Sequence, residues 1–462
     1  MDAPRHTRYG YWLEEAGPIE RTARLTEDLT ADVVIVGGGY LGLWSAWQLK
    51  QLEPEADVVI LEAGLAGHGP SGRNGGFVST LWDDLPLLRE GVGDTRAVDV
   101  CHASERAVRG IGTFCEEQGV DAWYRFGGTL QVATSEAQLG DWDEVVDACR
   151  EVGVPEATVP QTAEQLERRC RSDAFLGGMY LPVAANVQPA RLSLGLRRKV
   201  QEAGVRLFED SPVKRLTGNV TALTGEGSVR ARSAILAVNS ATCGFAGYRL
   251  AHAVASSHMV ITEPVPDVIE EAGWTGGENI HDCQTLLHYF RTTKDSRIAL
   301  GWGGGRMGIG ARRRGILEVD ADAARRATGA LRRFFPALRD RQITHAWGGP
   351  IDVSPTHLPI FGSRGPVHHG FGFTGNGVGP SYLGGEILAR LALDRRDEVT
   401  SLAIVEPDRK LMPPEPIRYV GGTVIRQALV RRDRAIDDGR TPDPISAFVA
   451  SLPRKLGLRL PR

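Results

Sequence analysis

Gly37, Gly39 and Gly42 stand at the spacing G-x-G-x-x-G, and Glu62 follows about twenty residues after the last of them. Residues of these types at this spacing can hold a dinucleotide. The first glycine permits a tight turn, the second lets a pyrophosphate approach the backbone, and the third lets a helix pack closely on a sheet. That helix, opening at Tyr40 and Leu41, offers its N–H groups and the positive end of its dipole to the phosphates. A carboxylate placed as Glu62 is can bind an adenosine ribose hydroxyl.

These residues need a strand, a turn, a helix and a second strand to position them. The apolar run 31–36 reads as the first strand, 57–61 as a buried parallel neighbour ending at Glu62, and the segment between as the helix. Residues 63–77 are too rich in glycine for a helix and too long for a simple connection, and they contain Ser71, Gly72, Arg73, Asn74, Gly75 and Gly76. A loop of that kind usually has a task. Further on, 97–118 and 189–205 read as helices, and 129–132, 205–208, 213–216, 233–239, 259–261, 287–292 and 298–301 as strands. In 287–292 the alternation puts Tyr289 and Arg291 on one face. A second glycine-rich turn, Gly375, Asn376, Gly377, Val378 and Gly379, precedes an apolar helix over 382–393 and offers a second helix N-terminus.

The pattern predicts an α/β chain: a Rossmann-like domain, interleaved with a mixed-sheet α+β lobe. The expected division is an N-terminal extension over 1–29, a nucleotide domain over 30–80, 183–253 and 340–412, a substrate lobe over 81–182 and 254–339, and a basic helical extension over 413–462. At 462 residues the chain exceeds the usual single core. Its 54 Lys and Arg against 57 Asp and Glu give a net charge of −3, which leaves no footprint for nucleic acid. Cys101, Cys115, Cys149, Cys170, Cys243 and Cys283 are scattered without metal-ligand spacing, so reduced, buried thiols and no metal are expected. No stretch has the length and apolarity to span a bilayer, and a cytoplasmic protein is the expectation. Residues 415–462 carry ten basic and five acidic side chains. Ile425, Ala428, Leu429, Arg432 and Ile436 form one helical face there, expected to dock on the protein's own body rather than on a partner or a membrane.

The glycine turn, Glu62, the Ser71–Gly76 loop, the strand ending at Asn239 and the run Gly370 to Gly377 occur in one order. Together they resemble the D-amino-acid oxidase family of FAD-dependent enzymes, in the branch that includes γ-glutamylputrescine oxidase, glycine oxidase and sarcosine oxidase. The resemblance covers about residues 30 to 412. It implies that Gly37, Gly39 and Gly42 cradle the FAD pyrophosphate, that Glu62 holds the ribose, that Val213 meets the adenine through its backbone, and that Arg73 and Asn74 lie beside the isoalloxazine. A guanidinium there would stabilise the anionic reduced ring. Gly348, in a segment matching one that runs under the flavin in relatives, and the Gly375–Gly379 turn complete the expected cofactor set. Relatives often read Gly-His-Gly where this chain has Gly375-Asn376-Gly377. Residues 347–362 lack the cysteine that attaches the flavin in some relatives, so the FAD is expected to be non-covalent.

The implied activity is oxidation of the C–N bond of a small amine or amino acid to an imine, by hydride transfer to flavin N5, followed by hydrolysis, with O2 as acceptor and H2O2 as product. Tyr289 and Arg291 are expected to grip a substrate carboxylate, with His258, His288 and Trp302 lining the same cavity. Sarcosine oxidase-like members carry a lysine before a Leu-Gly pair, where this chain has Ala299-Leu300-Gly301. That departure keeps open a dehydrogenase delivering electrons to a quinone or protein carrier. A non-catalytic FAD-binding subunit of a larger complex is the alternative from another class.

Overall fold

Val33 to Val36 form an interior strand of the first sheet because all four are apolar and both their faces are covered. Val33 and Ile35 join one core with Leu43 and Trp44, and Val34 and Val36 join another with Val59, Leu61, Ala234 and Leu236. The computed structural model describes residues 4–408 and 410–458. Strand Asp28–Val36 pairs in parallel with Val58–Leu61 on one side and with Ser228–Leu236 on the other. Strand Val367–Phe371 in turn runs parallel to Ser228–Leu236. Four carboxyl ends therefore reach one edge of an eight-stranded sheet. Helix Tyr40–Leu52 leaves that edge after the first glycine turn, and helix Val378–Ala392 leaves it after the second. The two helices pack together, with Gly385 seated against Trp44 and Gly384 against Leu41. Asn239 follows the Ser228–Leu236 strand at the same edge.

The second sheet has nine strands drawn from distant parts of the chain. Its centre runs Ile343–Val353, Ala253–Thr262, Ile298–Trp302 and His288–Thr292, all antiparallel neighbours. Helix Ala321–Phe334 covers one face, where Phe334 stacks on Phe290 at 5.1 Å between ring centroids and packs with Val260 and Leu300. Each such fully buried side chain contributes about 1.5–3 kcal/mol. The other face carries Met259, Ile261, Ala299, Trp347 and Tyr289, and turns toward the loop that follows Glu62.

The first residues belong to this second face. Strand Arg5–His6 lengthens the sheet in parallel with Ile343–Val353, and helix Gly10–Ala16 buries Trp12 completely against the same core. Gly10 adopts φ of 72° with the Trp347 ring so close that any Cβ would overlap it. At the other end, helices Ile417–Asp437 and Pro444–Lys455 pack on each other through Ala428, Leu429 and Ala450. The first of them docks on the body: Arg418 donates to the carbonyls of Arg249 and His252, and Asp433 accepts from the Leu286 N–H. Residues 1–3 and 459–462, the tips of the two terminal segments, lie outside the described residues. Among the described residues no helix is long and apolar enough to cross a membrane. All six cysteines are buried free thiols.

Candidate functional site

The first glycine turn is closed by contacts that leave no room for side chains. Gly37 has φ of 109° and a Cβ there would lie 2.3 Å from the Ala237 carbonyl oxygen, while one on Gly42 would lie 1.9 Å from that of Gly37. Gly39, by contrast, meets only the Ser71 hydroxyl. Helix Tyr40–Leu52 begins there with no capping side chain on Gly39, and the Ser71 hydroxyl accepts from the Tyr40 N–H at 2.8 Å. Glu62, half-buried, accepts from the N–H groups of Gly38 and Gly64, each at 2.8 Å. Burial pushes its carboxyl above the ordinary range although those two donors pull the other way. Val213 is half-buried in the connection after Ser211, whose N–H bonds the Glu62 carbonyl, so it lies outside the expected 213–216 strand, which shortens to Arg215–Leu216.

The second turn meets the first at the same sheet edge. Helix Val378–Ala392 starts at Gly377 without a side-chain cap. Gly375 has φ of 93°, the Asn376 N–H closes back on the Phe373 carbonyl, and a Cβ on Gly379 would strike the Ser79 carbonyl. Asn239, at φ of 48°, donates from Nδ2 to Asp352 Oδ1 at 2.8 Å. Asp352 is fully buried, its other oxygen accepts from the Gly372 N–H, and burial raises its carboxyl to about 7.

The Ser71–Gly76 loop connects this edge to the second sheet. Asn74 shapes it, donating to the carbonyls of Pro70 and Ser71 and accepting from the Gly76 N–H. Arg73 is buried: its Nη1 donates to the Arg8 carbonyl at 2.9 Å and approaches Glu318 and the Gly348 carbonyl at 3.5 Å. Burial lowers this guanidinium against the partial compensation of Glu318. Trp347 donates from its indole to the Arg73 carbonyl at 2.8 Å. Opposite the loop, Tyr289 lies over Gly75 and Arg291 over Gly76. The Tyr289 hydroxyl bonds Ser257 Oγ at 2.7 Å, and burial raises the phenol to about 12.

Two of the expected roles are corrected here. Arg291 shares a face with Tyr289, but it is not free to grip a carboxylate through its fork. Its Nε donates to the Gly75 carbonyl and its Nη2 to the Val187 carbonyl, both at 2.6 Å, and its Nη1 to the Thr292 carbonyl at 3.3 Å. The guanidinium also lies over Trp12, 4.8 Å from the ring, and its burial lowers it to about 9. His258, His288 and Trp302 do not line the cavity of Tyr289. Trp302 pairs across the sheet with both histidines, so all three share the face covered by helix Ala321–Phe334, while Tyr289 pairs with Gly301 on the other. His258 is buried against Gly348, its Nε2 3.1 Å from Ser256 Oγ, and desolvation lowers it to about 4.

Four further residues of the site, Ser257, Trp12, Glu318 and Asp352, are not among those expected from the sequence. Ser257 carried a partial signal, since alternation continued back from the expected strand 259–261 puts it on the face of Met259, whereas Asp352 lies in no expected strand. Trp12 and Glu318 carried none, because the contacts of both span most of the chain.

A family model described as FAD dependent oxidoreductase, DAO, matches residues 32–391, and the chain belongs to that family. Its cofactor is FAD, which fits two helix starts that open on glycines at one sheet edge and a glycine cradle closed to side chains. The chain is 28% identical over 391 residues to the gamma-glutamylputrescine oxidoreductase of Escherichia coli (strain K12), an alignment covering 82% of this chain and 88% of that protein. Among solved structures it resembles glycine oxidase from Geobacillus kaustophilus, with a TM-score of 0.65, 21% identity and coverage of 80% and 96%. It also resembles L-proline dehydrogenase from P. horikoshii, with a TM-score of 0.63, 18% identity and coverage of 82% and 96%.

Proposed function

We propose that this member of the FAD-dependent oxidoreductase family oxidises the C–N bond of a small amine or amino acid to an imine, which water then hydrolyses, with O2 as acceptor and H2O2 as product. When bound, FAD supplies the two-electron acceptor for that step. Tyr289 carries the reading: a half-buried phenol, paired with Ser257 and set over Gly75, gives a polar wall on the face that turns toward the cofactor loop. With a phenol raised to about 12, Tyr289 stays neutral and can donate to or accept from a bound amine. Met259, Ala299 and Trp347 keep the surroundings apolar, which favours a neutral amine over an ammonium. Because the Arg291 fork is committed to backbone carbonyls, amines without a carboxylate beside the reacting carbon fit this wall better than α-amino acids. The E. coli relative is, by its name, an oxidoreductase of gamma-glutamylputrescine.

The reading is tested by anaerobic titration of the yellow holoenzyme with polyamines, N-methyl amino acids and D- and L-amino acids, following the oxidised-flavin band. Bleaching by amines that lack an α-carboxylate, reversed on admitting air, is the expected result. No bleaching by any amine overturns it. A second reading, a dehydrogenase passing electrons to a quinone or protein carrier, is favoured by Ala299, fully buried where sarcosine oxidase-like enzymes carry a lysine. Bleaching that air fails to reverse but a soluble quinone does would select it.

A further inference from the structure

On the face of the nine-stranded sheet remote from Tyr289, a cavity of about 670 Å³ opens between helix Ala321–Phe334 and helix Ile417–Asp437. Six arginines line it, Arg306, Arg325, Arg326, Arg426, Arg431 and Arg434, against two carboxylates, Asp320 and Asp322. Both aspartates are already engaged. Arg306 donates to Asp320 at 2.8 Å and to Asp322 at 3.2 Å, and Arg325 pairs with Asp322. Among the described residues, Arg326, Arg426, Arg431 and Arg434 form no ion pair with a carboxylate. Arg426 is half-buried and fixed in place, donating to the carbonyls of Gly304 and Gly305. Arg326 and Arg426 approach the Trp302 ring at 5.4 and 5.9 Å. Like charges gathered in a partly desolvated cavity repel one another, and Arg426 is lowered by burial and by Arg306 and Arg326.

We propose that this cavity is a binding site for a small polyanion carrying two or more phosphate or carboxylate groups. Guanidinium forks hold such oxyanions bidentately, and the cavity has room for more than one anionic group. The anion would bridge the two helices and clamp the C-terminal helix to the body. Guanidinium groups over the Trp302 ring leave its floor charged rather than open for base stacking, so the site reads charge and spacing, not an aromatic ring. It is separate from the cofactor cradle, since the sheet itself lies between Trp302 and Tyr289.

The test uses the flavin-loaded full-length protein, so that the cofactor's own phosphate site is filled. Pyrophosphate and citrate are titrated by calorimetry at low salt, against wild type and the double variant Arg326→Ala/Arg434→Ala. Among the described residues neither has a carboxylate partner to orphan, and circular dichroism and the flavin spectrum establish that the variant is folded. The expected result is saturable one-to-one binding of one or both anions, weakened about tenfold or more in the variant, with a melting temperature that the anion raises in wild type and leaves nearly unmoved in the variant. Binding of pyrophosphate alone or citrate alone, lost in the variant, supports the site and selects the phosphate or the carboxylate class. Absence of saturable binding, or equal affinity in both proteins, overturns it.

Discussion

The two sheets satisfy buried polar groups in opposite ways. At the carboxyl edge of the eight-stranded sheet, backbone N–H groups hold carboxylates: Gly38 and Gly64 hold Glu62, and Gly372 holds Asp352, which strand Ile343–Val353 of the other sheet sends to that edge. On the facing surface of the nine-stranded sheet, backbone carbonyls hold guanidinium groups: Gly75 and Val187 hold Arg291, and Arg8 holds Arg73. Main chain, rather than an opposite charge, therefore does most of the positioning on both sides. A glycine that shapes the loop thus decides where a charge sits, because the same backbone atoms set both.

The strongest way to break the first side is to fill its turn. Gly42→Val puts side-chain atoms where the Gly37 carbonyl lies and should cost about 3–5 kcal/mol. The flavin-to-protein absorbance ratio should collapse with it. Gly64→Ala is the contrasting variant, since its Cβ would meet nothing nearer than Glu62 Oε1 at 3.8 Å, and it should keep both stability and flavin.

On the second side, Arg291→Met removes the donor shared by Gly75 and Val187 and leaves two buried carbonyls unsatisfied. Urea unfolding should register a loss of about 2–4 kcal/mol. Arg291→Lys should recover less than half of it, because a point ammonium cannot span both carbonyls as the fork does. If lysine restores full stability, the comparison between the two sheets fails on this side.

The same contrast explains what could be read from the chain. The Gly37–Glu62 unit is local, its strands and turn lie within about thirty residues, and its glycines are forced by contacts with near neighbours. The face shared by Tyr289 and Arg291 followed from alternation alone. What the guanidinium finds there did not, because Gly75 and Val187 lie 216 and 104 residues away in sequence. Alternation could have separated His288 from its neighbour Tyr289. Placing His258 with Trp302 required the register between two strands some forty residues apart, which no local pattern fixes. Glu318 reaches Arg73 only through the fold, and its own surroundings in the sequence show no periodicity that marks it.

His258 gives a smaller, pH-dependent break on the covered face of the second sheet. Held neutral with its folded value near 4, against an ordinary 6.5, it takes up a proton more readily in the unfolded chain. Its contribution is therefore present above pH 6.5 and is lost as pH falls toward 4. The loss between pH 7 and pH 5 should be about 2 kcal/mol at most. His258→Gln should flatten that part of the stability profile by a corresponding amount. An unchanged slope would place the acid sensitivity elsewhere.

Tyr289→Phe should have a small effect on stability and the most to say about function. The Ser257 hydroxyl keeps a second partner in the Trp302 carbonyl at 3.1 Å, so removing the phenol oxygen leaves no buried group orphaned. A cost of about 1 kcal/mol in urea unfolding is expected, with the flavin retained. If Tyr289 contacts the amine, kcat/KM falls by clearly more than the stability change accounts for, and the loss appears in the anaerobic bleaching rate as well. If it only supports the sheet, the two losses stay small together. The split matters because the phenol sits where the nine-stranded sheet meets the Ser71–Gly76 loop, with Gly75 beneath it and Ser257 beside it. Arg291 already gives its three nearest donors to the main chain, whereas the Tyr289 hydroxyl, bonded to one side-chain oxygen, keeps hydrogen-bonding capacity to offer a ligand.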